Sequence, residues 1–188
     1  NKDGDGPWKG GVGYVQVINF DKHTPPTRSK HLNKLEADNG GKPLAGLILD
    51  LRNNSGGLLT QAVDMCDLFL TSGDIVVTAS RGDKLTPQPA VRDGIEPEYP
   101  IIVLGNEQAA SGAEIVIGAL QKNNRAIVLG TRTFGKGSVQ QLHPLKHDAQ
   151  LKITVSEYLI PGNISIQENG VVPDILAQAE VDDGDMDL

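Results

Sequence analysis

Ser111 and Lys136 are two side chains that could take part in catalysis, the serine as a nucleophile and the lysine as a general base. Ser111 lies within AASGAEI, whose small residues leave room for a substrate carbonyl. Lys136 lies within TFGKG, where glycines on both sides leave its side chain free to point inward. A neutral lysine can take the hydroxyl proton of a serine, which then attacks a carbonyl carbon. Ser111 is therefore a candidate nucleophile, and Lys136 is a candidate general base.

A lysine acts as a base only after it has lost its proton. Lysine side chains have an ordinary pKa of ~10.4, so only about one in 2,500 is neutral at pH 7. Burial in an apolar pocket can lower this pKa and so favour the neutral amine. A decrease of about three pKa units corresponds to about 4 kcal/mol. The apolar run before Lys136 and the neighbouring Phe134 predict such a pocket. The alternative is an ordinary surface lysine.

Ser111 also has a purely structural interpretation. It follows an apolar run and precedes a helical pattern, so it lies where the first N–H groups of a helix are unpaired. Those N–H groups and the positive end of the helix dipole favour negative charge on an oxygen atom that lies beside them. Serine is also a common N-cap residue, so both interpretations stay open from the local sequence.

The segment NNSGG, residues 53–57, follows another apolar run. Gly56 and Gly57 can turn their N–H groups outward, as an oxyanion hole requires. The alternative is an ordinary turn at the start of a helix.

Residues 130–137, GTRTFGKG, nearly match the phosphate-binding pattern GxxxxGK[ST]. Position 137 is glycine, so the hydroxyl that would hold magnesium is missing. The loop should also open a helix, whereas Pro144 follows within a few residues. We therefore reject a nucleotide site.

Strands and helices that alternate along the chain are predicted on either side of these segments. Short apolar runs predict buried strands, and apolar residues at helical spacing predict helices. The predicted strands are 12–20, 44–51, 100–105 and 126–130, the helices are 24–38, 58–70 and 113–120, and 151–160 with 164–166 form a hairpin. Residues 80–98, which are polar and contain prolines, are predicted to be a surface excursion. The order indicates a mixed α/β core.

Composition narrows the function classes. The 188 residues carry a net charge of −7, and aromatic residues make up 4%, which argues against nucleic-acid binding. The single cysteine, Cys66, excludes an internal disulfide or a zinc site built on cysteine pairs, and its apolar helical setting predicts a buried thiol. No apolar run is long enough to span a membrane. We expect a loose lead at 1–10, a core at 11–178 and a disordered acidic tail at 179–188.

Three blocks together resemble the carboxyl-terminal processing (tail-specific) serine proteases. They are LILDLRNNSGGLLTQAVDMCDLFL, PIIVLGNEQAASGAEIVIGALQKNNRAIVLGTRTFGKGSVQQ and GVVPDI. The family's DLRxNxGG falls in the first block, and its SASASE and TFGKGxVQ fall in the second. The resemblance runs from about Gly11 to Ile175. It places the family's nucleophile on Ser111, its general base on Lys136 and its glutamine on Gln140.

The resemblance implies a ClpP/crotonase-like α/β fold of stacked ββα units with a terminal β-hairpin. It implies a Ser–Lys dyad in which Gln140 positions the lysine. The backbone N–H of Gly112, with that of Gly57 or Gly56, would form the oxyanion hole. It further implies polypeptide substrates cut near their C-termini, no metal and no cofactor, and a location in the periplasm or cell envelope. Homo-oligomer formation stays open. Low aromatic content favours small or aliphatic residues at the cut.

The sequence also departs from the family pattern. The outer serines of SASASE are Ala109 and Ala113, and Lys122 stands where some members carry an aspartate. A substrate-capturing PDZ domain normally precedes the first strand, whereas ten residues do so here. The alternative function is a catalytically silent peptide- or ligand-binding module on the same fold. Acyl-CoA chemistry is disfavoured, because it would leave Ser111 and Lys136 without a role.

Overall fold

A computed structural model of the chain describes residues 6–8, 11–21, 30–82, 84–94, 96–146 and 149–178. The elements are β1 (Gly6–Trp8), β2 (Val12–Gln16), α1 (Lys30–Asp38), β3 (Gly46–Asp50), α2 (Leu59–Asp67), β4 (Asp74–Ser80), β5 (Lys84–Pro89), β6 (Ile101–Gly105), α3 (Gly112–Lys122), β7 (Ala126–Gly130), β8 (Ser138–Pro144), β9 (Gln150–Ile160), β10 (Ile164–Ser165) and β11 (Ile175–Leu176). Within these residues, no helix has the length and apolar character needed to cross a membrane.

The larger sheet has the strand order β1-β2-β3-β6-β7-β11. All neighbours in it are parallel except β1 and β2. The apolar runs predicted as buried strands form its centre. Only one face of β7 is buried, however: Val128 is inaccessible, whereas Ile127 is 52% exposed. The expectation that this strand is fully buried is therefore wrong.

The smaller, antiparallel sheet has the order β10-β9-β4-β5, with β8 also paired to β9. Helix α3 contacts β7 as well as β4 and β9, so it lies between the two sheets. This position explains why every residue from Gly112 to Leu120 is buried. A side chain on Gly118 would lie 2.5 Å from Ile160 Cγ2, so glycine is needed for this close packing.

Several strands were not expected from the sequence. The predicted surface excursion contains β5, an edge strand, where the missing N–H groups of Pro87 and Pro89 are tolerated. Strands β4 and β8 were also missed. The predicted loose lead includes β1, whose backbone pairs with β2. The start of the helix predicted at 24–38 and the acidic tail lie outside the described residues. The buried thiol predicted at Cys66 is confirmed, and burial raises its pKa.

Because β3, β6 and β7 are parallel neighbours, the loops after their carboxyl ends meet at one edge of the sheet. These loops are residues 51–58, 106–111 and 131–137. They contain the glycine pair, the serine and the lysine that the sequence analysis selected.

Candidate active site

Ser111 lies immediately before α3 with φ 55° and ψ −116°. An ordinary N-cap residue has extended backbone angles, and a non-glycine residue in this conformation is strained. A sharp strand-to-helix turn of this kind can expose a nucleophilic hydroxyl. The backbone angles of Ser111 therefore differ from those of an ordinary N-cap, although Ser111 occupies the N-cap position and donates its N–H to Glu114, as in a capping box.

Glu114, on the first turn of α3, is fully buried and joins the serine and lysine segments. Its Oε2 accepts hydrogen bonds from the N–H groups of Ser111, at 2.9 Å, and Lys136, at 2.8 Å. Its Oε1 accepts from the hydroxyl of Thr133, at 2.6 Å, and the N–H of Gly135, at 2.7 Å. Four donors offset the loss of water around the buried carboxyl group. Glu114 thereby fixes the backbone of both candidate residues.

The loop that carries Lys136 is also held from its other side. Gln167 Oε1 accepts hydrogen bonds from the N–H groups of Gly137 and Ser138, both at 3.0 Å. The N–H of Glu168 donates to the carbonyl of Gly135 at 2.9 Å. Strand β8, rather than the helix that a phosphate-binding loop would open, follows the loop.

A cavity of about 320 Å³ brings together the residues selected from the sequence, except Gly56. It is lined by Gly57, Leu59, Ser111, Gly112, Ile115, Lys136, Ser138, Val139, Gln140, Leu142, Lys152 and Tyr158. Burial raises the pKa of Tyr158, whose hydroxyl can donate a hydrogen bond into the cavity. Leu59, Ile115, Leu142, Lys152 and Tyr158 were not selected from the sequence, because distant strands and helices bring them here.

Two backbone N–H groups beside Ser111 are suited to an oxyanion. Within the described residues, neither Gly57 nor Gly112 donates its N–H to a protein acceptor. A Cβ on Gly112 would lie 3.6 Å from the nitrogen of Gly57, so the two groups are close. Gly57 has φ 141°, and a Cβ there would lie 2.0 Å from the carbonyl oxygen of Phe20. Only glycine fits this turn.

Gly56 does not supply an oxyanion donor in this structure. Its N–H already donates to Asn54 Oδ1 at 2.8 Å, which corrects that alternative. A Cβ on Gly56 would lie 2.8 Å from the Cβ of Ser111, so Gly56 permits the turn to approach the serine. The buried Asn54 also accepts the N–H of Ala110 on its carbonyl at 2.9 Å. Asn54 therefore joins the glycine turn to the serine loop.

Lys136 reaches the cavity from an exposed position. Phe134, expected to help bury it, is 65% exposed. The predicted apolar burial of the lysine is therefore wrong for the described chain. The expectation failed because a neighbour in sequence need not be a neighbour in space: Glu114 draws the loop backbone inward and leaves both side chains outside.

Gln140 lines the same cavity and is exposed. The pairing of β8 with β9 shifts register between Val139 and Gln140, so Val155 is extra on β9. Consecutive residues of a regular strand point to opposite faces, whereas Val139 and Gln140 both line the cavity. No hydrogen bond joins Gln140 to Lys136 in the part of the chain that the structure describes, so its positioning role stays a prediction.

The sequence model of a protein family, peptidase family S41, matches residues 11–177 of the chain. The chain belongs to this family. A carboxy-terminal-processing protease of Bartonella bacilliformis is 40% identical over 172 residues, which cover 90% of this chain and 39% of the relative. A carboxyl-terminal-processing protease of a Picosynechococcus species is 36% identical over 169 residues, covering 90% of this chain and 40% of the relative. This S41 chain therefore spans about two fifths of the length of these relatives.

The solved structure of a photosystem II D1 C-terminal processing protease superposes on this S41 chain with a TM-score of 0.82. It is 32% identical, and the match covers 90% of this chain and 43% of that protein. Together with the parallel and antiparallel sheets, this match confirms the expected ClpP-like α/β fold and the family resemblance.

Proposed function

We propose that this S41 chain is the catalytic part of a serine endopeptidase of the carboxyl-terminal processing type. The observation that carries the proposal is the shared cavity of Ser111 and Lys136, with the backbones of both residues bonded to one oxygen of Glu114. In addition, Ser111 has the backbone angles of a sharp strand-to-helix turn, which can expose a nucleophilic hydroxyl.

In the proposed first half-reaction, Ser111 Oγ attacks the carbonyl carbon of the peptide bond while Lys136 Nζ takes the hydroxyl proton. The carbonyl oxygen becomes an oxyanion, which accepts hydrogen bonds from Gly57 and Gly112. The C–N bond then breaks, and Lys136 returns the proton to the leaving amine. The product is an acyl ester on Ser111.

In the second half-reaction, water replaces the amine. Lys136 takes a proton from water as the oxygen attacks the ester carbon, and the same two N–H groups stabilise the second oxyanion. Collapse releases a carboxylic acid, and Lys136 returns the proton to Ser111 Oγ. Every atom and proton is thus accounted for by the substrate, water and the two side chains.

The exposed Lys136 must lose its proton before it accepts another. A substrate peptide lying across the cavity would displace water from the ammonium group and favour the neutral amine. Apolar side chains from Leu59, Ile115 and Val139 would complete the dry environment. We infer that substrate binding supplies the burial that the chain alone does not.

The substrate would be an extended polypeptide lying beside β8, cut near its C-terminus, with small or aliphatic residues at the bond. Gln140 would orient Lys136 from the same strand. A location outside the cytoplasm or in a plastid would agree with the relatives, among which is a chloroplastic processing peptidase of Tetradesmus obliquus.

Substitution of Ser111 and Lys136 by alanine tests the proposal. Each variant should lose at least 100-fold in kcat/KM on casein or a quenched peptide, while circular dichroism and Tm stay close to those of the parent. The exposed Ser72 and Lys146, changed to alanine, are matched controls that should retain activity. Equal activity in the parent and S111A would refute the proposal.

The exposure of Lys136 favours one rival, a module that binds peptides without cutting them. The rival predicts that the parent and S111A bind a peptide equally and that neither releases product. Mass spectrometry of the peptide after prolonged incubation with each protein distinguishes the two functions.

A further inference from the structure

We propose that Lys152 is a specificity-determining residue that binds a carboxylate of the peptide substrate, several residues away from the bond that is cut. The proposal rests on the protease function above and assigns a role to a second lysine of the same cavity.

Lys152 reaches the catalytic cavity from β9. It pairs with Leu142 of β8, and directly opposed residues of antiparallel strands point to the same face of the sheet. Lys152 and Leu142 both line the cavity that contains Ser111 and Lys136. A peptide in this cavity would therefore pass within reach of the Lys152 ammonium group.

The charge of the cavity indicates the chemistry of the ligand. The cavity lining contains two lysines and no acidic residue, although the whole chain carries a net charge of −7. Lys152 is exposed, and among the described residues no carboxylate forms an ion pair with it. A substrate carboxylate would give this ammonium group its partner.

The spacing of residues along β8 indicates how far the substrate carboxylate lies from the bond that is cut. Ser138, two residues after Lys136, and Leu142 are four residues apart, which corresponds to about 13 Å of extended strand. An extended substrate covers the same distance in about four residues. The carboxylate should therefore lie about three to five residues from the cut. It can come from an Asp or Glu side chain or from the free C-terminus. Val139 and Leu142 favour apolar substrate residues between the cut bond and this carboxylate.

Binding to S111A tests this without depending on turnover. Peptides that differ only by Glu or Gln at each of the five positions on either side of a cleavable bond are compared by fluorescence polarisation. A second set ends at those positions with a free carboxylate or an amide. Each is measured with S111A, S111A/K152Q and the matched control S111A/K146Q, whose exposed lysine lies outside the cavity lining.

We expect one or two adjacent positions at which S111A binds the carboxylate form about 3- to 10-fold more tightly, as for a partly exposed charge pair. The preference should disappear in S111A/K152Q, persist in S111A/K146Q and weaken in high salt. The peptide set that shows it identifies the source of the carboxylate. In the otherwise native enzyme, K152E should favour Lys over Glu at the same position in kcat/KM.

Three results would overturn the inference: no carboxylate preference at any position, a preference that K152Q leaves intact, or an equal loss in K146Q. Cleavage that depends on Ser111 but shows no dependence on Lys152 would reject this inference and leave the protease function standing. Equal turnover by the parent and S111A would reject the protease function first.

Discussion

The N–H of Lys136 lies 2.8 Å from Glu114 Oε2, the same oxygen that accepts the N–H of Ser111 at 2.9 Å. One buried carboxylate on α3 thus sets the backbone positions of two residues that are 25 apart in sequence. Because each is bonded to the same atom, a change at Glu114 should disturb the serine and the lysine together.

Glu114→Gln should inactivate the chain while Ser111 and Lys136 remain. Each oxygen of Glu114 now accepts two hydrogen bonds. Glutamine replaces one of these oxygens with an NH2 group, which cannot accept and would face a backbone N–H. We expect a loss of about 2–5 kcal/mol in unfolding free energy and at least 100-fold in kcat/KM. Urea unfolding and peptide turnover measure these, with the exposed Glu98→Gln as control. Unchanged activity in E114Q would show that this carboxylate does not position the dyad.

Thr133→Val should weaken the same cluster more mildly. The Thr133 hydroxyl donates to Glu114 Oε1 at 2.6 Å and accepts the N–H of Val171 at 2.7 Å. Valine keeps the shape but leaves the buried N–H of Val171 without an acceptor and removes one of the two donors to Glu114 Oε1, which should cost about 1–3 kcal/mol. Thr133→Ser keeps the hydroxyl and should restore most of the activity. If the serine and valine variants lose activity equally, the hydroxyl is not the important feature.

Gly57→Ala should disrupt the proposed oxyanion site by displacing its backbone. The new Cβ would lie 2.0 Å from the carbonyl oxygen of Phe20, so the turn must move away from Ser111. We expect a fall of about 100- to 1,000-fold in kcat, as when one oxyanion donor is lost. Gly82→Ala is the matched control: it also has a positive φ, 81°, but nothing lies within 4 Å of its Cβ. Comparable kinetic losses in both variants would point to general backbone strain instead.

Asp50 should link the stability of the chain to pH. Burial alone would raise the pKa of this carboxyl group, but hydrogen bonds from Arg52 and Tyr14 outweigh it and hold the pKa below its usual value. The side chain of Arg52 donates to Oδ1 at 3.0 Å and to Oδ2 at 2.7 Å, and the Tyr14 hydroxyl donates to Oδ2 at 2.7 Å. Asp50 therefore stabilises the fold above the ordinary Asp pKa, and the stabilisation is lost as pH falls through the lower, folded value.

Asp50→Asn should accordingly destabilise the chain at pH 7 and by less as the pH falls toward the folded pKa. Urea unfolding of the parent and the variant from pH 7 downward measures the difference, and the exposed Asp38→Asn provides the control. A difference that stays constant down to acid denaturation would contradict the proposed linkage.

Local sequence patterns were sufficient to predict a strand or helix where that element is determined by its own segment of the chain. The apolar runs of β3, β6 and β7 predicted the central strands, and the spacing of apolar residues predicted α2 and α3. Strand β5 was missed because its prolines argue against a central strand and only the sheet order makes it an edge. The pattern SxxE could have predicted the contact of Ser111 with Glu114, but not that with Lys136.

By itself, the sequence determined which groups are available: a serine at the start of a helix, a lysine between glycines and a glycine pair after a strand. The tertiary structure alone decided that Glu114 bonds both segments, that the N–H of Gly56 is engaged whereas that of Gly57 has no acceptor among the described residues, and that Lys136 remains exposed. The physical reason is that propensity and periodicity act over a few neighbouring residues. Hydrogen-bond partners and burial depend instead on parallel strands that bring together loops from distant parts of the chain.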